Sequence, residues 1–237
     1  MEPQFHVVIP CAGSGSRFGL TAPKQYALLA GKPMVVHTLE AFSKLPGLIQ
    51  GVLVVAPDDN YISEILKDWP QPKFLVSQTG GATRAQSVVA GLNVLELKGI
   101  RPDEWVLVHD AARCLVTHEL ISRLIATCFD DKVGGLLALP LPDTLKTEIE
   151  GRVSITVNRS GKWLAQTPQM FRLDMLKRAL LMAGDQVTDE SSAIEAMGFS
   201  PLLVPSASYN FKVTFAEDMQ LAQSVLSSRS THSLSNF

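Results

Sequence analysis

The chain has 237 residues, of which 46% are hydrophobic, and a formal net charge of −2, so it can bury a large core as one α/β domain with an appendage. This charge excludes a global field that would recruit nucleic acid or an anionic membrane, and no membrane span or signal peptide is indicated. Three scattered cysteines without a C-x-x-C pair indicate neither a disulfide framework nor zinc, and they favour a reducing cytoplasm.

The first predicted element is a buried strand at 5–9, a short apolar run with β-branched residues. In the loop that follows, Gly13 and Gly15 permit positive φ and bring backbone N–H groups close to a ligand. Free N–H groups in such a loop form an anion-binding concavity. Arg17 adds a planar fork suited to phosphate oxygens, and Lys24 adds a compact, mobile charge. This stretch therefore predicts a polyphosphate-binding loop.

The glycine spacing differs from both familiar nucleotide loops. Gly13, Gly15 and Gly19 are spaced G-x-G-x-x-x-G, whereas the dinucleotide fingerprint is G-x-G-x-x-G. The P-loop motif fails as well, because position 18 is Phe. For the glycines alone, an ordinary strand-to-helix turn is the favoured alternative. Because Arg17 and Lys24 follow the glycines, phosphate binding is the favoured interpretation of the whole stretch.

The next hundred residues alternate between helical and strand patterns. Helices are predicted at 33–44, 61–69, 83–97 and 117–129, and strands at 51–56, 74–77, 105–108 and 133–139. Thr83 and Gln86 match a capping box, and Thr117 is a plausible helix cap. This rhythm predicts buried strands connected by helices.

Two places in this region are suited to a ligand. Gly80 and Gly81 precede a helix N-terminus, where backbone can approach a bound group, although plain capping explains them from physics alone. Asp110 follows the strand at 105–108, and in open parallel sheets ligands collect beyond the carboxyl ends of strands. Its carboxylate indicates contact with a metal or a ribose hydroxyl, with a turn or N-cap role as the alternative.

From Asp143 the pattern changes to two alternating strands, 144–150 and 151–157, joined at Glu150 and Gly151 as a hairpin. An isolated hairpin is marginal in water, so we expect it to pack against a second subunit. A surface hairpin on a monomer is the alternative.

The C-terminal third has weaker signals. Within 163–171, Thr167-Pro168 indicates a turn, whereas Gln169 and Phe171 suit a strand or a loop edge. Helices are predicted at 173–182 and after a Thr188 cap, and strands at 202–204 and 211–214. Two acids after Thr188 favour the positive end of that helix, which explains them without any function. Thr214 and Glu217 form a capping box for a final helix. The serine-rich stretch 224–237 is predicted to be disordered.

The loop A-G-S-G-S-R-F-G at 12–19, followed by P-K-Q-Y at 23–26, resembles the signature of the 2-C-methyl-D-erythritol 4-phosphate cytidylyltransferases, a family of the nucleotidylyltransferase superfamily. Further motifs of that family follow in order along 7–226. They are G-G-x-x-R-x-x-S from Gly80, H-D-A-A-R from His109, D-T-x-K from Asp143, R-S from Arg159, A-x-T-P-Q-x-F from Ala165, T-D-E from Thr188 and N-x-K-V-T from Asn210.

The sequence departs from the family pattern at three positions. Cys114 replaces a proline, which we expect to alter loop rigidity and not to abolish the chemistry. Asn158 stands where Asp or Glu is commoner, and Ala216 where proline is commoner.

The resemblance implies a three-layer, Rossmann-like α/β sandwich with a mostly parallel twisted sheet and a protruding β-hairpin arm. It implies one nucleotidylyltransferase domain over 1–226, with an arm at about 141–161 that interlocks two subunits of a homodimer, and a disordered tail at 227–237.

The implied reaction transfers CMP from CTP to 2-C-methyl-D-erythritol 4-phosphate and yields 4-diphosphocytidyl-2-C-methyl-D-erythritol and pyrophosphate, in non-mevalonate isoprenoid biosynthesis. The nucleophile is an ionised phosphate oxygen, so no general base is required, and electrostatics with in-line positioning must lower the barrier. A cytidylyltransferase for another polyol phosphate, such as ribitol 5-phosphate, is the first alternative. A non-catalytic nucleotide-binding module is a remoter one, and the glycine spacing disfavours a dinucleotide oxidoreductase.

The matching motifs imply roles for particular residues of this chain. Arg17, Lys24 and Lys212 are expected to stabilise the triphosphate and the transition state. The expected CTP contacts are Ala12, Gly13, Ser14, Gly15, Ser16, Gly81, Arg84, Ser87, Asp110 and Ala111. The expected contacts of the acceptor phosphate are Arg113, Thr144, Arg159 and Thr167. Mg²⁺ or another divalent metal would bridge phosphate oxygens, with Asp110 as its candidate carboxylate.

Overall fold

The computed structural model describes residues 2–13, 23–184 and 187–234 of the protein. The strands are β1 (Phe5–Pro10), β2 (Leu28–Leu29), β3 (Lys32–Pro33), β4 (Leu48–Val54), β5 (Phe74–Ser77), β6 (Trp105–Val108), β7 (Gly134–Pro140), β8 (Leu145–Ile149), β9 (Arg152–Val157), β10 (Trp163–Arg172) and β11 (Leu202–Pro205). The helices are α1 (Met34–Ser43), α2 (Ile62–Asp68), α3 (Arg84–Leu97), α4 (His118–Cys128), α5 (Leu173–Ala183), α6 (Glu190–Ala196) and α7 (Asp218–Leu234), with a short 3₁₀ turn at Lys24–Tyr26.

Seven strands form the central sheet in the order β11-β7-β10-β6-β1-β4-β5. β1 pairs in parallel with β4 and β6, β4 pairs in parallel with β5, and β11 pairs in parallel with β7. Strand β10 runs antiparallel to both of its neighbours, β6 and β7. The prediction of a mostly parallel sheet is confirmed, and residues 163–171 form a strand within it.

Helices cover both faces of this sheet. Successive side chains on β1 point to opposite faces and so enter two different cores. Val7 and Ile9 pack into a cluster with residues of α1, α2 and α4. Val8 packs on the opposite side with residues of α3, α5 and α6. The predicted three-layer arrangement is therefore confirmed. The carboxyl ends of β1, β4 and β6 open on the same edge of the sheet, which is where a ligand site is expected.

The predicted disorder of 224–237 is wrong for the part that the structure describes, since α7 continues to Leu234. Apolar packing explains the helix. Ala222 is fully buried in a small core with Leu29, Met34 and Val213, and other α7 side chains pack against that core. The composition signal was misleading because a few well-spaced apolar residues are enough to bury one side of a serine-rich helix.

Three local predictions near the C-terminus are also corrected. Residues 211–214 are not a strand, because Val213 N donates to the Ala112 carbonyl outside the sheet. The N-cap of α6 is Asp189 and not Thr188, and it forms a capping box with Ser192. At the start of α7, the carboxylate of Asp218 accepts the Thr214 N–H that Glu217 would accept in the predicted Thr214 and Glu217 box, and it accepts the Phe215 N–H as well.

The hairpin predicted after Asp143 is confirmed as β8 and β9, which form a separate two-stranded sheet. Glu150 and Gly151 both have positive φ at its turn, as a tight two-residue connection requires. Within the chain, the apolar side chains of Ile149, Val153 and Ile155 remain 60–65% exposed. Among the residues that the structure describes, no helix is long and apolar enough to cross a membrane.

Candidate active site

A cleft of about 540 Å³ opens where β1 and β6 end. Nine predicted site residues line it: Ala12, Gly13, Lys24, Gly81, Arg84, Ser87, Asp110, Ala111 and Lys212. These residues come from segments that are far apart in the sequence, and the fold brings them to one edge of the sheet. The predicted loop residues Ser14, Gly15, Ser16 and Arg17 lie outside the described residues.

The backbone on either side of the cleft is held closely. Gln25 donates from Nε2 to the carbonyls of Cys11 (2.9 Å) and Gly13 (3.0 Å), so its amide fixes the start of the glycine loop. On the opposite wall, a Cβ at Gly80 would lie 2.6 Å from the Val55 carbonyl oxygen and still closer to the Cβ of Ala12. Glycine at position 80 is therefore required by packing against Ala12, a predicted CTP contact.

Four charged side chains form a continuous chain of ion pairs that begins behind the cleft at Glu190 and ends within it at Lys212. Lys212 Nζ lies 2.8 Å from Oδ2 of Asp110, and Arg84 Nε lies 2.7 Å from Oδ1 of the same carboxylate. The guanidinium of Arg84 also donates from Nη1 (2.6 Å) and Nη2 (3.0 Å) to the two carboxylate oxygens of Glu190. The signs alternate along the series Glu190, Arg84, Asp110, Lys212, so each buried charge has an opposite neighbour.

This arrangement sets the protonation states of the chain. Burial alone would raise the pKa of Asp110, but the charges of Arg84 and Lys212 outweigh it and hold that pKa well below its usual range. Burial alone would lower the pKa of Arg84. The negative charge of Glu190, and next that of Asp110, outweighs burial and raises this pKa above its ordinary value. Burial raises the pKa of Glu190, and the bidentate pair with Arg84 opposes that rise. Asp110 is an anion and Arg84 a cation at any physiological pH.

Lys24, another predicted catalytic lysine, lies beside the segment that carries Lys212. Lys24 Nζ donates to the Val213 carbonyl at 2.7 Å, next to Lys212. Val213 in turn donates its N–H to the Ala112 carbonyl at 2.9 Å, close behind Asp110. The segment 211–214 is thus an extended strap that joins the two lysines to the end of β6.

A neutral, buried layer lies under Asp110. The Asp110 N–H donates to Thr167 Oγ1 (3.1 Å), and that hydroxyl lies 3.1 Å from His109 Nδ1. His109 Nε2 lies 3.1 Å from the Arg113 carbonyl oxygen, which can only accept, so Nε2 carries the proton and Nδ1 accepts from Thr167. Burial lowers the pKa of His109 to about 3, so this imidazole is a neutral structural group.

Cys11 also lines the cleft, but its environment suppresses the thiolate. The side chain is 4% exposed, and burial raises its pKa to about 12. A thiol with that pKa is not a nucleophile near neutral pH. Cys11 is therefore not a candidate nucleophile.

The predicted acceptor-phosphate residues are placed outside this cleft. Arg113 is largely buried behind it, donates to the backbone carbonyls of Asn210 (2.9 Å) and Ala165 (3.5 Å), and has its Nε 4.0 Å from Oδ2 of Asp110. Thr167 lies beneath Asp110. Thr144 and Arg159 are exposed at the base of the arm, where Arg159 donates to the Pro142 carbonyl. Within one chain, Thr144 and Arg159 do not meet Asp110 and Lys212.

Several supporting residues were missed by reasoning from the sequence. Gln169 Nε2 donates to Asp189 (2.8 Å), and its Oε1 accepts from the Ser191 N–H (2.7 Å), which ties β10 to α6. Asn210 is fully buried and donates to Gln166 and to the Thr167 carbonyl. Motif matches cover Gln169 and Asn210, but nothing in the sequence alone showed what they contact.

The described side chains around the cleft offer few ligands for a divalent metal. Among the described residues, no group of three or more His, Cys, Asp or Glu side chains could enclose an ion. Of the described residues that line the cleft, only Asp110 has a carboxylate. Mg²⁺ commonly binds through one or two carboxylates together with substrate phosphates and water. The donor set fits an ion that is held mainly by phosphates.

The mostly parallel sheet, the glycine-flanked cleft at its carboxyl edge and the paired lysines define an α/β protein with a lysine-lined cleft of nucleotide size. The family model described as 2-C-methyl-D-erythritol 4-phosphate cytidylyltransferase (IspD) matches residues 5–228. The chain belongs to this family.

Curated relatives and solved structures agree with this assignment. The chain is 58% identical over 230 residues to the bifunctional enzyme IspD/IspF of Albidiferax ferrireducens, covering 97% of this chain and 54% of that one. It therefore spans about half the length of that relative. It is 48% identical over 224 residues to the 2-C-methyl-D-erythritol 4-phosphate cytidylyltransferase of Chromobacterium violaceum, covering 94% of this chain and 97% of that one.

Two crystal structures superpose on nearly the whole chain. One, of a 4-diphosphocytidyl-2C-methyl-D-erythritol synthase, has a TM-score of 0.84 at 36% identity and covers 95% of this chain and 100% of that one. The other, of 2-C-methyl-D-erythritol 4-phosphate cytidylyltransferase (IspD) from Francisella tularensis, has a TM-score of 0.79 at 33% identity and covers 94% and 99%.

Proposed function

We propose that this protein transfers the CMP group of CTP to 2-C-methyl-D-erythritol 4-phosphate and releases pyrophosphate, a step in the non-mevalonate supply of isoprenoid precursors. The reaction is the one that its family is named for. The observation that carries the proposal is the convergence of Lys24 and Lys212 on one strap beside Asp110, at the mouth of a nucleotide-sized cleft.

The chemistry follows from these charges. The acceptor phosphate oxygen is already ionised and attacks the α-phosphorus of CTP, so the protein need not remove a proton. Negative charge builds up on the α-phosphate oxygens as pyrophosphate leaves, and preorganised cations stabilise that charge most in a site that excludes water. The Lys212 ammonium has three N–H donors, of which Asp110 takes one, so it can bind phosphate while Asp110 keeps it in place.

The base of CTP would lie against the opposite wall. Gly81 and Ser87 line the cleft there, and Ser87 Oγ accepts from the Gly81 N–H at 3.1 Å. A hydroxyl and backbone groups can read the hydrogen-bonding edge of a pyrimidine. This wall is the proposed source of the preference for cytosine.

We propose Mg²⁺ as the cofactor, with Asp110 as its protein ligand or as the group that orients the ribose. Bound between phosphate oxygens, the ion would neutralise charge on the triphosphate. The chain's own part is to keep Asp110 ionised and to leave its carboxylate at the surface of the cleft, which Arg84 and Lys212 do.

The acceptor site requires a second subunit in this proposal. Thr144 and Arg159 lie on the exposed arm and do not meet the cleft of their own chain. Exposed Ile149, Val153 and Ile155 on the arm support an apolar contact with a partner. A homodimer that exchanges arms would bring Thr144 and Arg159 to the neighbouring cleft. We further propose that the dimer works in the cytoplasm, which its three free cysteines support.

The test is pyrophosphate release with CTP and Mg²⁺, with 2-C-methyl-D-erythritol 4-phosphate and ribitol 5-phosphate compared as acceptors. We expect release with the first and at most a trace with the second. A preference for ribitol 5-phosphate would keep the mechanism and change the acceptor. No release with either acceptor would contradict the proposed function.

A further inference from the structure

Glu190 lies in the first turn of α6, where an acid favours the helix N-terminus, but its complete burial requires a further explanation. Its side chain is fully buried, and it lies outside the main cleft. The cap of α6 is already complete without it, because Asp189 and Ser192 satisfy each other's backbone N–H groups. A buried carboxylate is costly, and apolar residues of similar volume often serve stability equally well. Stability alone therefore does not account for a carboxylate here.

The backbone around Glu190 is fixed from both sides by one residue of the central sheet. Gln169 donates to Asp189 at 2.8 Å and accepts from the Ser191 N–H at 2.7 Å. Glu190 lies between those two contacts, so its position relative to β10 is set by the sheet and not by the short helix. The carboxylate is presented to Arg84 from a rigid base.

Arg84 receives this carboxylate through both terminal nitrogens, at 2.6 and 3.0 Å. A bidentate pair fixes the plane of a guanidinium as well as its distance. With that plane fixed, Nε points to Asp110 Oδ1 at 2.7 Å, and Oδ2 stays with Lys212 at 2.8 Å. Without Glu190, the Arg84 guanidinium would pair with Asp110 alone among these side chains. It would then compete with Lys212 for the Asp110 carboxylate.

We infer that Glu190 is a positioning residue for catalysis, which acts through Arg84 to hold Asp110 and Lys212 in the arrangement that receives the triphosphate. The inference deepens the proposed function and rests on it. Glu190 itself touches neither substrate nor metal in this account. Its effect on activity passes through Arg84, and that dependence is what an experiment can measure.

The kinetic test compares Glu190→Gln, Arg84→Gln and the double variant, with Glu195→Gln as the matched control on the exposed side of the same helix. We expect Glu190→Gln to lower kcat/KM for CTP at least tenfold while KM for the acceptor changes less than twofold. Glu195→Gln should match the wild type. In the Arg84→Gln background, Glu190→Gln should change kcat/KM less than twofold. Equal fold losses in both backgrounds, or a folded Glu190→Gln enzyme within twofold of the wild type, would overturn the inference.

The double variant keeps the test decisive if Glu190→Gln alone does not fold. It leaves no unpaired charge in the pair, so it should fold and match Arg84→Gln. A double variant more than fivefold less active than Arg84→Gln would show that Glu190 acts by another route.

A second readout does not depend on activity. In ¹H–¹⁵N spectra, the Arg84 Nε–H signal, assigned by its loss in Arg84→Gln, should exchange with water at least tenfold faster in Glu190→Gln than in the wild type. An exchange rate within twofold of the wild type would contradict the positioning role. If the wild type released no pyrophosphate, the proposed function would fail while this measurement still decided the geometry.

Discussion

Lys24 donates to the carbonyl of Val213, 189 positions further along the chain, at 2.7 Å. This bond places the lysine that follows the glycine loop beside the segment that carries Lys212. Lys212 is itself 2.8 Å from Asp110 at the end of β6. Three segments of the chain therefore meet around the space proposed for the triphosphate.

Removal of either lysine should abolish most turnover. We expect Lys24→Ala and Lys212→Ala each to lower kcat by about 100-fold to 1,000-fold, the usual loss when one preorganised donor to a transition-state oxyanion is removed. Lys132→Ala, at an exposed position outside the cleft, is the control and should be unchanged. Steady-state pyrophosphate release measures all three. Near-normal turnover of Lys24→Ala would mean that its assigned role is wrong.

Charges on the apolar side of the arm should separate the subunits. Ile149 and Ile155 share a face of the arm, because Ile155 pairs with Thr147, which is two residues from Ile149 on β8, and both are at least 60% exposed in the single chain. We expect Ile149→Lys/Ile155→Lys to give a mass of one 25.7 kDa chain by light scattering, where the wild type gives two.

The matched control for the arm places two lysines on its other face, as Glu148→Lys/Thr156→Lys, and should remain dimeric. The monomeric variant should also lose acceptor-dependent activity and retain CTP binding, because the acceptor contacts come from the partner in this account. A wild type of one-chain mass at micromolar concentration would contradict the dimer.

Buried His109 should make the fold sensitive to mild acid. Its pKa is lowered to about 3, below the ordinary value of 6.5, so between these values the unfolded chain binds a proton that the folded chain does not. Stability should therefore be complete above about pH 6.5 and fall as the pH drops towards 3, by up to about 1.4 kcal/mol per pH unit.

Urea unfolding of the wild type and His109→Gln between pH 7.5 and 5 measures this effect. The variant lacks the titrating group, so its unfolding free energy should fall less steeply over that range. The same slope in both proteins would show that His109 does not titrate as its burial requires.

The three cysteines should be unreactive in the folded protein. Cys11, Cys114 and Cys128 are all buried, and burial raises the pKa of each to about 12. At pH 8 the thiolate fraction is then on the order of 10⁻⁴, and a thiol reagent should modify none of them on the timescale of minutes. In guanidinium chloride all three should react. Rapid modification of one thiol in the native protein would contradict this description.

The sequence predicted what depends on local pattern. The apolar runs of β1 and β6, the cap at Thr83 and the turn at Glu150 and Gly151 all have strong short-range signals, and the structure contains each of them. The contribution of Lys24 and Lys212 to one cleft was predicted from motif resemblance and not from pattern.

What the sequence did not predict depends on contacts between distant residues. Residues 211–214 have a strand-like pattern, yet β11 lies at the sheet edge and this segment instead packs on Ala112 and Lys24. Glu190 looks like a first-turn acid of a helix, and only the fold shows that Arg84 is its partner. The tail prediction failed because composition does not reveal that Val225 and Leu226 have a core to pack against.

The most direct measurement is ³¹P NMR of the purified protein with CTP, Mg²⁺ and 2-C-methyl-D-erythritol 4-phosphate. We expect the acceptor's phosphate monoester signal to be replaced by the two coupled signals of a diphosphate linkage, with one pyrophosphate formed for each product. Persistence of the monoester signal while CTP stays intact, or conversion of CTP to free CMP and pyrophosphate, would contradict this expectation.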